Sequence, residues 1–237
     1  MKKVWLKMLL VMAVMSSCDN ATTDKTESSY EVTVGEACSV KVSGIEFTKS
    51  INGAREATTH ESDKLIIKSS AEQDNFNDPD GKLSNNSAPV LLTKIDNTKP
   101  FTFTAKVTPT FNDVYDAGTL YIYQNPKSWL KFAFEKDERM KTRIVTVRTI
   151  GTSDDNNHDI VESENVYMKI SSDGKTMGFY YSLDKENWQL VRLFRNDYPE
   201  ETWIGLGSQS PIGDGSSVAF EECSLTSKSV EDFRMGI

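Results

Sequence analysis

The sequence predicts an all-β protein built as an antiparallel sandwich or barrel, and three observations carry that expectation. Short runs of alternating or β-branched residues recur from Tyr30 onward, separated by polar segments. Turn signals fall between them at Asp80-Gly81, Asn125-Pro126, Asp173-Gly174 and Gly213-Asp214-Gly215. No window sustains a helical period over three turns. Many short strands with regular punctuation favour stacked or closed antiparallel sheets over a mixed fold.

The N-terminus reads as a processing segment. Lys2, Lys3 and Lys7 precede a short apolar run, Met8–Met15, and small residues lead to Cys18. This is similar to a secretory signal ending in a lipobox, Met15-Ser-Ser-Cys18, although Met stands where Leu is usual. Residues 1–17 are thus expected to be a bacterial lipoprotein signal peptide, with Cys18 lipidated; a plain signal peptide cut nearby is the alternative. The apolar run falls far short of the ~20 residues that span a bilayer, so lipid on Cys18 would provide the membrane contact. Residues 18–29 are polar and read as a flexible tether. Residues 30–237 read as one domain on the outer side of a membrane, in the cell envelope.

Within that domain the expected strands are Glu31–Val34, Ser39–Val42, Lys64–Lys68, Phe101–Val107, Thr119–Tyr123, Ser128–Glu135 and Arg143–Ile150. Further on they are Val166–Ile170, Met177–Ser182, Gln189–Phe194, Trp203–Gly207 and Val218–Leu225. The strand at 128–135 has two unlike faces. Side chains alternate across a strand, so Leu130, Phe132 and Phe134 share the core side. Trp129, Lys131 and Glu135 share the other, where an aromatic ring, a cation and a carboxylate stand in a row.

Composition excludes some functions. The chain of 237 residues is 38% hydrophobic, enough for a folded core. Its net charge of −8 argues against nucleic acid, whose phosphates call for a basic surface.

Several segments together are similar to the regulation of enolase protein family. They are Phe76-Asn-Asp-Pro-Asp-Gly81, Ser87-Ala-Pro89, Tyr115-Asp-Ala-Gly118, Trp129-Leu-Lys131 with Glu135, and Val145-Thr-Val-Arg-Thr149 leading to Ser153-Asp-Asp-Asn156. Tyr181-Ser-Leu-Asp184 with Trp188, Gln209-Ser-Pro-Ile-Gly213 and Asp232-Phe-Arg234 follow in family order. The resemblance implies a two-sheet, antiparallel, concanavalin A-like jelly roll with one concave face, a shape shared with lectins and glycan-cleaving enzymes. Fold alone does not fix function.

On that concave face the expected ligand is a carbohydrate. Trp129 is expected to stack on a sugar ring, and Lys131, Glu135 and Arg148 to bond hydroxyls; Asp154 and Gln209 are placed at the rim. The bland alternative is a solvated sheet face with a cross-strand ion pair. A second reading makes the protein a glycan-processing hydrolase using Glu135. It is weakened because Glu135-Lys-Asp137-Glu138-Arg139 begins the Glu-x-Asp-x-Glu pattern of concanavalin A-like glucanases and then breaks. Only Asp154 or Asp155 offers a second carboxylate. A third reading is a protein-interaction scaffold in the envelope.

No motif calls for a cofactor, and no Cys/His cluster suggests zinc. Asp74–Gly81 fails the spacing of a calcium loop and reads as a structural turn, as does Ser153–Asn156. Tyr181 to Trp188 reads as a hairpin braced by its two aromatics. Cys38 and Cys223 are either free thiols or, in an oxidising compartment, a disulfide.

Overall fold

The structure is a computed structural model that describes residues 34–237; the signal segment, Cys18, the tether and most of the strand expected at 31–34 lie outside the described residues. Every strand pairing within it is antiparallel. The chain first lays down β1 (Glu36–Val42), β2 (Ile45–Ile51), β3 (Thr58–Glu61) and β4 (Lys64–Ser70). Two short strands follow, β5 (Asn75–Asn77) and β6 (Ser84–Asn86), then β7 (Val90–Asp96), β8 (Phe101–Pro109) and β9 (Ala117–Asn125). The middle of the chain forms β10 (Ser128–Lys136), β11 (Thr142–Ile150), β12 (Thr152–Ile160) and β13 (Val166–Ser172). It closes with β14 (Thr176–Ser182), β15 (Gln189–Arg195), β16 (Glu201–Gln209) and β17 (Gly215–Thr226).

Two large sheets result. One has eight strands in the order β1-β2-β7-β16-β9-β10-β11-β12; the other has seven, β15-β14-β13-β8-β17-β4-β3. The core between them takes alternate residues from both, including Phe103, Leu120, Phe132, Phe134, Phe179, Leu206 and Phe220. Each is fully removed from water. Burying such a side chain is worth about 1.5–3 kcal/mol. Leu130, Phe132 and Phe134 occupy the core side, as the period of two requires.

The outer face of the eight-stranded sheet is buried as well. Val90, Leu92, Tyr121, Tyr123, Trp129, Ala133, Val145 and Val147 form a second apolar cluster there, with Phe76 and Trp203 packed against it. Strands covered on both faces become near-continuous apolar runs. That accounts for β9, in which Ala117 to Tyr123 are all buried, and for the Trp-Leu-Lys-Phe-Ala-Phe run of β10.

The segment Ser153–Asn156, expected as a turn, belongs instead to the edge strand β12, which pairs with β11 from Thr152 to Ile160. The bend lies at Gly151, whose φ of 75° favours glycine. A polar, exposed strand at a sheet edge discourages pairing with other chains.

At the 182–187 hairpin, the Asp184 carboxylate gathers the Glu186 and Asn187 amide N–H groups at 2.9 and 2.7 Å. Its two aromatics diverge rather than brace one another. Trp188 lies over the Lys169 ammonium, 3.5 Å from ring centroid to Nζ, whereas the Tyr181 hydroxyl donates to Asp159. Cys38 and Cys223 are free thiols, on β1 and β17 respectively.

Candidate functional site

The cover over the outer face is built from the stretch between β4 and β7. Asn75 and Asn77 alternate with Phe76, so β5 turns both amides toward the sheet. Asn75 Nδ2 donates to the Tyr121 hydroxyl at 3.1 Å, and Asn77 Nδ2 donates to the Gly151 carbonyl at 3.2 Å. The Asn77 amide N–H donates to Ser153 Oγ at 2.9 Å. A three-residue strand has little area of its own, and these bonds dock it. Trp129 is sealed beneath the cover: it is 0% exposed, meets Tyr121 edge to face with centroids 6.1 Å apart, and donates from Nε1 to the Pro126 carbonyl.

Beside the cover lies a cleft of about 510 Å³, lined among others by Asp74, Phe76, Tyr115, Lys131, Glu135, Asp155, Gln209 and Ile212. Its floor is a chain of buried polar groups. The Lys131 ammonium donates to Gln209 Oε1 at 2.7 Å, to the Asn75 carbonyl at 2.9 Å and to Asp74 Oδ1 at 3.2 Å. The Gln209 amide donates in turn to the Tyr115 carbonyl at 3.0 Å and to Glu135 Oε2 at 3.2 Å. All three Lys131 protons and both Gln209 amide protons are thereby engaged. A lysine this deep is tolerable only because it is fully hydrogen-bonded and paired.

The electrostatics divide the two charged groups of β10. Burial pulls the Lys131 pKa down, but Asp74, Tyr121 and Glu135 more than offset it, so the ammonium is held above its ordinary value. Glu135 is pushed up to about 8, chiefly by burial; Lys131 opposes this, while Asp155, Asp74 and Asp137 add to it. Asp155 is likewise raised, with loss of water contact the main cause. Because the folded state holds the Glu135 proton more tightly than the unfolded chain, its contribution to stability is complete below the ordinary carboxylate range. That contribution is lost as pH rises through about 8. Glu135→Gln is therefore expected to flatten the fall in Tm between about pH 5 and about pH 8. Identical pH profiles for the two proteins would show that Glu135 titrates normally.

The structure brings together three of the residues expected at the site, Lys131, Glu135 and Gln209. It separates the others. Trp129 shares their face but lies under the cover, so no ring is offered to a ligand there. Arg148 is on the opposite face: Lys131 pairs with Val147 and Glu135 with Arg143, whereas Arg148 pairs with Leu130. Asp154 pairs with Arg148 and follows it to that side, while Asp155 pairs with Val147 and lines the cleft. Asp137 is committed elsewhere, taking Arg143 Nε at 2.7 Å and the Arg139 and Lys141 amides. Asp74 and Tyr115 were not expected as site residues; the Asn-Phe-Asn alternation after Asp74 was the available signal that this stretch packs against the sheet.

The model of a family described as a protein of unknown function, DUF1349, matches residues 51–228. The chain belongs to the DUF1349 family. Its match spans every strand from β3 to β17 and all residues of the cleft. A functionally unknown protein from Saccharomyces cerevisiae has the same fold, with a TM-score of 0.68 at 20% identity over 77% of this chain and 97% of that one. The GH43 protein BlXynB from Bacillus licheniformis superposes with a TM-score of 0.58 at 13% identity, over 73% of this chain and 35% of its own. A GH43B protein of a Bacteroides ovatus xyloglucan locus gives 0.59 at 12%, over 81% and 38%. This DUF1349 chain thus spans little more than a third of the GH43 proteins, and at such identities the likeness shows the two-sheet sandwich alone. No curated protein matches the sequence.

Proposed function

We propose that this DUF1349 domain binds a carbohydrate in the cleft over the Lys131–Gln209–Glu135 floor. The observation that carries the reading is a concavity of about 510 Å³ combining apolar walls, Phe76, Tyr115 and Ile212, with fixed polar groups. Sites for small molecules fall in the range of about 300–1,000 Å³ and are built in this manner. Apolar walls suit the C–H faces of a sugar, and carboxylates suit its hydroxyls. The occurrence of this sandwich in GH43 proteins, one from a xyloglucan locus, supports a saccharide. An exported, lipid-tethered position, as the N-terminal segment is read, would set the cleft among envelope and environmental glycans.

Calorimetric titration with a panel of oligosaccharides tests the proposal. Binding by the native protein is expected to weaken at least about tenfold in Asp155→Asn, which exchanges a charged acceptor for a neutral one. No heat with any member of the panel, or equal affinity in the variant, would defeat it. The hydrolase reading has one observation in its favour, a Glu135 carboxyl that keeps its proton near neutrality as a general acid must. Product analysis of the same mixtures separates the two, since binding alone leaves the oligosaccharides intact.

A further inference from the structure

We infer that the cleft selects a saccharide bearing a free amine, an amino sugar rather than a neutral or acidic one. The inference rests on the carbohydrate reading and adds the class of sugar. Its basis is the imbalance of cationic and acidic groups around the cavity. Lys131 is the one cation among the lining residues, against the carboxyl groups of Glu72, Asp74, Glu135, Glu138 and Asp155. Its three protons are already spent on Gln209, Asn75 and Asp74. Both protons of the Gln209 amide are spent as well, on Tyr115 and Glu135. The ammonium and amide protons of the floor are therefore all engaged. What the lining still has to donate is the proton of Glu135, the Tyr115 hydroxyl and the Asn157 amide, none of them a cation.

It has acceptors to spare. Glu135 is only 7% exposed, yet its Oε1 makes no hydrogen bond among the described residues, and the side chain lines the cavity. That oxygen is not sealed from water; it opens onto the cavity, within reach of a ligand's donor. Asp155 faces the same space from β12 with its carboxyl partly shielded from water. No group of three or more His, Cys, Asp or Glu among the described residues is disposed to hold a metal ion. An ammonium supplies three donors, one positive charge and no acceptor. Placed between Glu135 and Asp155 it donates to Oε1, and its charge favours the ionised form of Glu135 against the burial that raises the pKa. A uronate or sulfated sugar would bring charge of the wrong sign into the same space.

The test is calorimetry at physiological salt with short glucosamine oligomers, their N-acetylated counterparts and oligogalacturonate of matched length. Glucosamine oligomers are expected to bind at least tenfold more tightly than the acetylated series, with galacturonate not binding. The double variant Glu135→Gln/Asp155→Asn is expected to lose that preference. Glu61→Gln/Asp63→Asn, which removes two exposed charges beside the β3–β4 turn, is expected to keep it. Equal or tighter binding of the acetylated series overturns the amine inference and leaves the carbohydrate reading standing. A preference lost equally in both double variants overturns it too, as mere attraction to an acidic surface. Binding of no saccharide at all overturns both readings.

Discussion

Trp129→Ala is expected to lower the unfolding free energy by about 3–5 kcal/mol, the range for truncating a fully buried large aromatic. The indole is fully buried: Tyr121 meets it edge to face, Tyr123 stands opposite it on β9, and it belongs to the apolar cluster of the outer face. Its N–H is bonded to the Pro126 carbonyl at the β9–β10 turn. Removing it leaves a cavity under the cover and takes one of two donors from the Pro126 carbonyl, which keeps only Asn77 Nδ2 at 3.4 Å. Lys131 Nζ, 5.9 Å from the ring centroid, also loses the ring's negative face. Urea unfolding followed by circular dichroism measures the loss. A change under about 1 kcal/mol would mean that the ring is solvent-facing and free to stack on a ligand.

That contrast shows what a strand pattern can and cannot say. Alternation correctly divided β10 into two faces, because side-chain period is a local property. Whether the second face meets water depends on a segment some fifty residues earlier, and nothing in residues 128–135 reports it. The cover itself was obscure because β5 and β6 are three-residue strands rich in Asn and Ser, types that ordinarily mark turns. β7 escaped for the opposite reason. Val90-Leu-Leu-Thr is buried throughout, so it has no alternation to detect.

Arg148 illustrates a further limit. Its parity within β11, opposite Val145 and Val147, was legible. Which parity joins Lys131 depends on the β10–β11 register, and a shift of one residue exchanges the faces. The observed register pairs Lys131 with Val147, placing Val145, Val147 and Asp155 in the cleft and Arg148 with Asp154 on the far side. Gln209 was found for an indirect reason, as the residue following a glycine-bearing apolar strand. Its position between Lys131 and Glu135 follows from β16 lying beside β9, an order no local pattern encodes.

Lys131→Met is expected to be at least as damaging as the loss of Trp129, by about 3–5 kcal/mol, because it leaves partners of a buried charge unpaired. Methionine fills much of the same volume, so packing changes little and the polar loss dominates. Asp74 loses its counter-ion, while the Asn75 carbonyl and Gln209 Oε1 lose their donor. Two of these groups belong to the cover, so the cleft should open together with the loss of stability. Adding Asp74→Asn to Lys131→Met is expected to restore at least about 1 kcal/mol, since it removes the stranded charge, and a double-mutant cycle isolates that coupling. Additive losses would separate Asp74 from the lysine. A single variant as stable as the native protein would show that Lys131 is not needed to hold the cover, leaving its ammonium available to a ligand and undercutting the charge imbalance on which amine selectivity rests.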